Sequence, residues 1–385
     1  MGKSDSPVGS LQVVSSPGVG GREIYAPVLA RKLNAQGHPA WVLARPDSLA
    51  ARLAGEWSVP VVARRPRPYF DPVFILGMAR WLRSHPVHVI HVHWSRDLSN
   101  LILANALAGG RRPVILTKHV YATEPKRDPF HAWVFRHTDR VLGVSRLVAE
   151  NVLKTVPVDP AKVGVLYNGI DVEDVWNPAL AAAGVDLKSE WKIPAASPVL
   201  GYAGRLNAGK GVHLVLQAFD QLAGEFPDWH LVLIGRAVGA GEQAYAERWR
   251  TWAEAKPWGR RVHWLGFLDN MPAVMKQLDL FACASALESL GMVLVEAMAM
   301  ERPVVGPDTG GVPEIISAGR GGRLFHHPDA GHLAATLKPL LADAGLRQQL
   351  GREARQVVRE KFNLDRSAQN LVELYRDCLA RRKTR

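Results

Sequence analysis

Cysteine is nearly missing: the chain has two in 385 residues. Two thiols build neither a disulfide framework nor a thiolate zinc site, so a reducing compartment, the cytoplasm, is expected. No run of 18 apolar residues occurs, which excludes a membrane-spanning helix. The first ten residues are polar and lack the apolar stretch of a secretory signal. They fit the loose myristoylation pattern, Met1-Gly2 then Ser6, although a short frayed terminus explains them as well. Low-complexity tracts and short repeats are absent. Acidic residues are scarce in one half only. Residues 1–170 carry 11 Asp and Glu against 22 Lys and Arg, whereas residues 171–385 carry 25 against 26. Nearly all of the net charge of +12 therefore lies in the first half. That points to an anionic partner there, whether nucleic acid, acidic lipid or a phosphorylated substrate.

What is present is a core-forming composition, 47% hydrophobic and 22% charged, at a length suited to two or three domains. Apolar runs at 11–15, 40–44, 87–92, 114–117, 141–144 and 163–166 read as buried strands. A helix is expected over 23–36, with Ile24, Val28, Leu29 and Leu33 on its apolar stripe and Gly37 as its stop. The pattern weakens in an Ala- and Pro-rich stretch and then restarts. Strands are expected at 199–203, 231–235, 262–265, 278–282 and 303–305, helices at 211–226 and 292–300, and a helical tail over 346–382. Strands alternating with helices make an α/β protein with parallel sheets. The reading is two Rossmann-like domains facing across a crevice: residues 1–180 and 199–365, joined by a linker at 181–198. A C-terminal helix at about 366–385 is expected to pack back on the first domain.

Open parallel sheets bind ligands beyond the carboxyl ends of their strands. Chemistry-bearing residues recur at those points. Gly204-Arg205-Leu206 and then Lys210-Gly211 follow a strand and open a helix. Two cations and a helix N-terminus suit a diphosphate; a surface turn with solvated charges is the bland alternative. Glu288-Ser289-Leu290-Gly291-Met292-Val293-Leu294-Val295-Glu296 places two carboxylates at the start of an apolar helix. Glu296 lies among Val295, Ala297 and Met298 and needs donors, which a ribose diol supplies. Glu288 sits beside the free amides of residues 289–292, a place for sugar hydroxyls and phosphate oxygens. The alternative is a capping Glu288 and a Glu296 paired with a base. Gly310-Gly311 offers a third loop of close-approaching backbone.

In the first half, His91 and His93 share a face of one strand. No Cys or carboxylate pair completes a metal site there, so an acceptor-site or structural role is favoured and no metal ligand is assigned. Asp97 stands nearby as a group that could act on an acceptor hydroxyl. Arg64-Arg65-Pro66-Arg67-Pro68 leads into a helix over 71–83, with Asp71 as N-cap, Pro72 at its first position, and Phe74, Ile75, Met78, Trp81 and Leu82 on its apolar stripe. This reads either as a core-packed helix beside a solvated loop or as a contact with a membrane surface or lipid phosphate. In the second case weak, salt-sensitive attachment without insertion is expected.

Taken in order, these segments resemble the retaining nucleotide-sugar glycosyltransferases of family 4, which have the GT-B fold. Gly20-Gly21-Arg22-Glu23 through Gly37-His38 looks like the family's first loop and helix, and Asn168-Gly169-Ile170-Asp171 like its turn before the linker. The phosphate loop, the Glu288–Glu296 segment and Gly310-Gly311-Val312-Pro313-Glu314 follow at familiar spacings. The resemblance implies that Arg205 and Lys210 hold the diphosphate, Glu296 the ribose and Glu288 the transferred sugar. It implies that His119, in Thr117-Lys118-His119, reaches that sugar from the acceptor-binding domain; a structural histidine is the alternative. The chain departs from the family at Cys283-Ala284-Ser285 and at Leu290, where relatives often carry Pro-Ser and an aromatic. The implied activity is metal-independent hexosyl transfer, without a cofactor, to a glycan, glycolipid or lipopolysaccharide-type acceptor in cell-envelope polysaccharide biosynthesis. A nucleotide-sugar 2-epimerase on a similar fold is the alternative enzyme. An oxidoreductase fails on Gly18-Val19-Gly20-Gly21, which lacks Gly-x-Gly-x-x-Gly spacing. A basic nucleic-acid binder would explain the charge but not the glutamate pair, so no nucleic acid is expected as partner.

Overall fold

A computed structural model describes residues 6–181 and 186–383. The myristoylation pattern at Met1-Gly2 lies outside them, as does part of the expected linker. The chain divides into two compact units, Met1–Gly169 with Leu364–Arg385, and Ile170–Asn363. Each is a twisted parallel sheet with helices on both faces.

The first sheet has seven strands: β1 (Ser10–Val14), β2 (Ala40–Ala44), β3 (Val61–Ala63), β4 (Val89–Val92), β5 (Val114–Lys118), β6 (Arg140–Gly143) and β7 (Val163–Val165). Their order is β3-β2-β1-β4-β5-β6-β7, and every pairing is parallel. Alternation sends successive side chains to opposite faces. Leu11, Val13 and Leu43 join Phe74, Met78 and Leu82 on one face. Val14, Val42 and Ala44 join Leu29 and Leu33 of the helix Gly21–Ala35 on the other, together with Leu371 and Tyr375 of the helix Leu364–Lys383. Ion pairs Lys32–Asp365 (3.2 Å) and Arg382–Asp139 (2.8 Å) also tie that last helix to this unit.

The second sheet has six strands: β8 (Val199–Ala203), β9 (His230–Ile234), β10 (Val262–Gly266), β11 (Leu280–Ala282), β12 (Val304–Pro307) and β13 (Gly322–Phe325). Their order is β10-β9-β8-β11-β12-β13, again all parallel. A core built on Leu200, Tyr202, Leu231, Leu233 and Phe219 packs the helices Val212–Leu222 and Ala330–Ala342 against the sheet. Among the described residues no helix is long and apolar enough to cross a membrane.

Several expectations need correction. The short edge strands β3 and β13 escape the sequence reading, whereas the other two edges, β7 and β10, are expected from it. Ile24 is 42% exposed rather than part of the buried stripe. It stands five residues from Leu29, about 140° around the helix, while Tyr25, Ala26, Leu29, Ala30 and Leu33 form the buried face. The helical tail is two helices, Ala344–Lys361 and Leu364–Lys383, interrupted where Asn363 bridges Ile170. Residues 170–180 group with the second unit rather than the first. The buried Arg355 guanidinium draws them there, donating to the carbonyls of Val172 (3.1 Å), Trp176 (3.0 Å) and Ala299 (2.6 Å). This division sharpens the charge asymmetry: the first unit carries 28 Lys and Arg against 14 Asp and Glu, the second 20 against 22.

Candidate active site

The strand order of the second sheet reverses between β8 and β11, the point where such sheets bind ligands. The loops beyond β8, β11 and β12 are locked together there. Ala286 N–H donates to Gly209 O (2.9 Å) and Gly311 N–H to Glu288 O (2.8 Å). Two glycines make this approach possible. Gly211 has φ +69°, and a Cβ on it would lie 1.9 Å from Ala284 O. Gly310 has φ +66°, and its Cβ would lie 2.7 Å from Glu288 O. The sequence reading gave these glycines to ligand approach; their close neighbour is the adjoining loop. At Gly204 a Cβ would stand against the Tyr202 ring, 3.3 Å from its hydroxyl.

Each expected cation is held by a carboxylate. Lys210 Nζ lies 2.6 Å from Glu288 Oε1. Arg205 Nη2 lies 2.6 Å from Oε1 of Glu242, at the start of the helix Ala240–Glu254. Glu242 also accepts from Asn207 Nδ2 (2.9 Å) and from Val238 N–H (2.7 Å). The buried Tyr202 hydroxyl lies within hydrogen-bonding distance of the carbonyls of Arg205 (3.2 Å) and Lys210 (3.1 Å), which pins the base of the loop.

Gly291, with φ +103°, caps the helix Met292–Ala299. Leu294, Val295, Ala297, Met298 and Ala299 are buried, while Met292, Val293 and Glu296 are half-buried on the remaining face. Burial pushes the Glu296 carboxyl up to about 7, and among the described residues no hydrogen bond or ion pair offsets it. A carboxylate in that state favours a ligand that brings its own donors. Leu290 is buried, so its side chain is a core residue and offers the ligand backbone only. Ser289 lies in the same turn. Burial and the nearby Glu288 charge push the Cys283 thiol up to about 11, which leaves it un-ionised.

In the first unit the order reverses between β1 and β4. Asp97 bridges the loops that follow them: its carboxylate accepts from Ser15 N–H (3.1 Å) and from the Ser15 hydroxyl. It is buried, which raises it to about 6 against the pull of those bonds, and both of its oxygens are engaged. Gly20 and Gly21 are exposed at the start of the first helix. The Glu23 side chain accepts from Gly20 N–H (3.0 Å) and pairs with Arg22 (2.7 Å).

His91 and His93, both buried, and the half-buried His119 form one network at the ends of β4 and β5. Gln12 Nε2 donates to Ser10 Oγ (2.9 Å) and Tyr375 OH (3.2 Å), so Gln12 Oε1 is free to accept from His93 Nε2 (3.1 Å). His93 Nδ1 is then the acceptor for His119 Nε2–H (2.9 Å), and His119 Nδ1 faces Asn168 Nδ2 at 3.4 Å. Tyr375 donates to His91 Nδ1 (2.7 Å), whose Nε2–H reaches Thr117 Oγ1 (2.7 Å). Burial lowers all three rings, His91 and His119 to about 3, so they are neutral. The His91 nitrogens are thus occupied by protein partners, and among the described residues no group of three metal-ligating side chains is found.

Sequence reasoning missed Glu242, Asn207, Tyr202 and Gln12. Glu242 had a usable signal: it follows Gly239 and Gly241 beyond β9, at the same end of the sheet as the other loops. Tyr202 acts on carbonyls three and eight residues further on, Asn207 on Glu242, and Gln12 on His93 and Tyr375, both distant in sequence.

Comparison with known proteins gives the family and the fold. A model described as Glycosyltransferase Family 4 matches residues 19–174, and one described as Glycosyl transferases group 1 matches residues 186–357. The alpha-maltose-1-phosphate synthase of Mycolicibacterium smegmatis is 31% identical over 317 residues, 75% of this chain and 78% of that protein. The N-acetyl-alpha-D-glucosaminyl L-malate synthase of Bacillus anthracis is 26% identical over 390 residues, 96% of this chain and 97% of that protein. The crystal structure of Anabaena HepE in complex with UDP-glucose shares the fold, with a TM-score of 0.78 at 22% identity, covering 96% of this chain and 99% of that one.

Proposed function

This chain belongs to the GT-B glycosyltransferases of family 4, and from that premise we propose that it is a retaining, metal-independent hexosyltransferase. It takes a sugar from a nucleotide diphosphate sugar and passes it to a hydroxyl of a glycan, glycolipid or lipopolysaccharide-type acceptor. One observation carries the reading. At the switch point of the second sheet two cations stand beside carboxylates, and the neighbouring helix presents Glu296 with no partner among the described residues.

In this reading Glu296 accepts from the ribose diol. The diphosphate takes over Lys210, and Glu288 turns from that lysine to the hydroxyls of the transferred sugar. Arg205, oriented by Glu242, faces the departing phosphate. Catalysis then rests on positioning and on charges fixed in place before the bond breaks. The two side-chain cations serve the leaving group in place of a metal. His119 is neutral and contributes hydrogen bonds rather than charge. Asp97 joins two loops and acts on the acceptor through their shape. A lipid-linked acceptor of this class places the reaction at the inner face of the cytoplasmic membrane. HepE was solved with UDP-glucose, so UDP-sugars are the first donors to screen, followed by GDP- and ADP-sugars. Proton NMR of the first-formed product tests the stereochemistry. The anomeric configuration of the donor is expected to be kept, and an inverted signal refutes the proposal.

A further inference from the structure

The helix Pro72–Ser84 has two apolar faces. Phe74, Ile75, Met78, Ala79 and Leu82 fill the core of the first unit. The opposite side carries Val73 (83% exposed) and Leu76 (65%), and Phe70 (61%) precedes the helix. A helix that only packs on a sheet needs one such face.

The tip that presents Phe70 is built rather than loose. Tyr69 adopts φ +69°, a strained conformation for an aromatic residue. Its carbonyl accepts from the Ser99 hydroxyl, and its N–H donates to Arg96 O (3.3 Å). The buried Asn100 accepts from Asp71 N–H (2.8 Å) and donates to Arg67 O (2.9 Å). Asp71 caps the helix through Phe74 N–H (3.0 Å). The Tyr69 ring lies edge-on to the exposed Phe130, with centroids 6.0 Å apart.

Arginines flank this patch along the chain, and Arg80, four residues beyond Leu76, shares its helix face. Arg64, Arg65 and Arg67 precede it, and Arg80 and Arg83 follow on the helix, all exposed. Arg65 is paired with Asp47 (3.0 Å); Asp71 is occupied by its backbone bonds.

We propose that Phe70, Val73 and Leu76 form a docking face that enters the boundary between headgroups and acyl chains of an anionic bilayer, with the flanking arginines on lipid phosphates. Apolar side chains flanked by cations match that interface in both chemistry and layering. The excess of 14 positive charges on this unit draws it to the same surface. A second copy of the chain fits poorly, because a two-fold contact would set these arginines against their own copies. The docking face departs from the expected salt-sensitive attachment without insertion: side chains insert, so part of the binding resists salt. It gives the proposed transferase reading its membrane surface, but its geometry does not depend on that reading.

The test uses the full chain with vesicles of phosphatidylcholine, alone or mixed with phosphatidylglycerol. The mixed vesicles should bring down the wild-type protein, and some binding should persist at high salt. Val73→Ser/Leu76→Ser should lower that binding by about tenfold or more, from the burial lost at two side chains. Both positions are exposed, so calorimetric affinity for a nucleotide sugar should match wild type and shows that the fold survives. Equal vesicle binding by wild type and variant overturns the proposal. So does a wild-type dimer in sedimentation that the double substitution abolishes. Docking without nucleotide-sugar binding would leave this surface standing and defeat the transferase reading; the converse would do the opposite.

Discussion

Glu296 offers the sharpest test of the donor site, because its burial acts on stability and on binding with opposite signs. The folded chain raises this carboxyl from 4.5 to about 7. Folding therefore favours the protonated form. Below pH 4.5 the group is neutral in both states and costs nothing. Between 4.5 and 7 the unfolded chain ionises first, so stability falls as pH rises, and the loss is complete above 7. The shift of about 2.5 units corresponds to about 3 kcal/mol as an upper bound, and about 1–2 kcal/mol once water reaching this half-buried side chain is allowed for. Glu296→Gln should thus stabilise the ligand-free chain in urea unfolding at pH 8 and leave it nearly unchanged at pH 4.5. Nucleotide-sugar binding should run the other way. The ribose diol donates to the carboxylate, so affinity should drop about tenfold from pH 8 to pH 6 as the group protonates. A nucleotide sugar is the right probe because its diphosphate diester does not titrate in that range. Glu296→Gln should be weak at both pH values. A flat wild-type affinity between pH 6 and 8, or a Gln variant no more stable than wild type at pH 8, would refute the argument.

Two further outcomes follow from the same site. Arg205→Ala and Lys210→Ala should each lower turnover by roughly 100- to 1000-fold with the melting temperature little changed, since each removes a fixed charge from the leaving group; Glu242→Gln should lower turnover less, by loosening Arg205, and near-normal rates in both alanine variants would overturn the phosphate assignment. Gly211→Ala should destabilise the second unit by several kcal/mol, because its Cβ would meet Ala284 O at 1.9 Å and the residue sits at positive φ; thermal unfolding near wild type would show that the loop contact is not needed.

Much of the fold was legible because central strands of parallel sheets are buried on both faces. Residues 40–44 and 199–203 are read from sequence with the bounds the structure assigns them. The cap of the helix at 72–84 was equally plain, since Asp71 and Pro72 act within one turn. The catalytic candidates beyond β8 and β11 stood out for a related reason: in this architecture ligand-binding residues fall just after strands, so position in the pattern is itself a signal.

Sequence alone thus determined what depends on neighbours along the chain: which segments are strands, where helices start, where glycines and charges cluster, and that the first half is basic. Tertiary structure decided everything that depends on pairing across it. A separation of 78 positions in the chain hides the Lys210–Glu288 ion pair, as one of 37 hides Arg205–Glu242. The tautomer of His119 is set by Gln12 through His93, across three strands. The second apolar face of the helix Pro72–Ser84 emerged only once the core had claimed Phe74, Ile75, Met78 and Leu82 and left Val73 and Leu76 outside. Local pattern reports a side chain's spacing, but which of two apolar faces meets the sheet is settled by the packing of the whole unit.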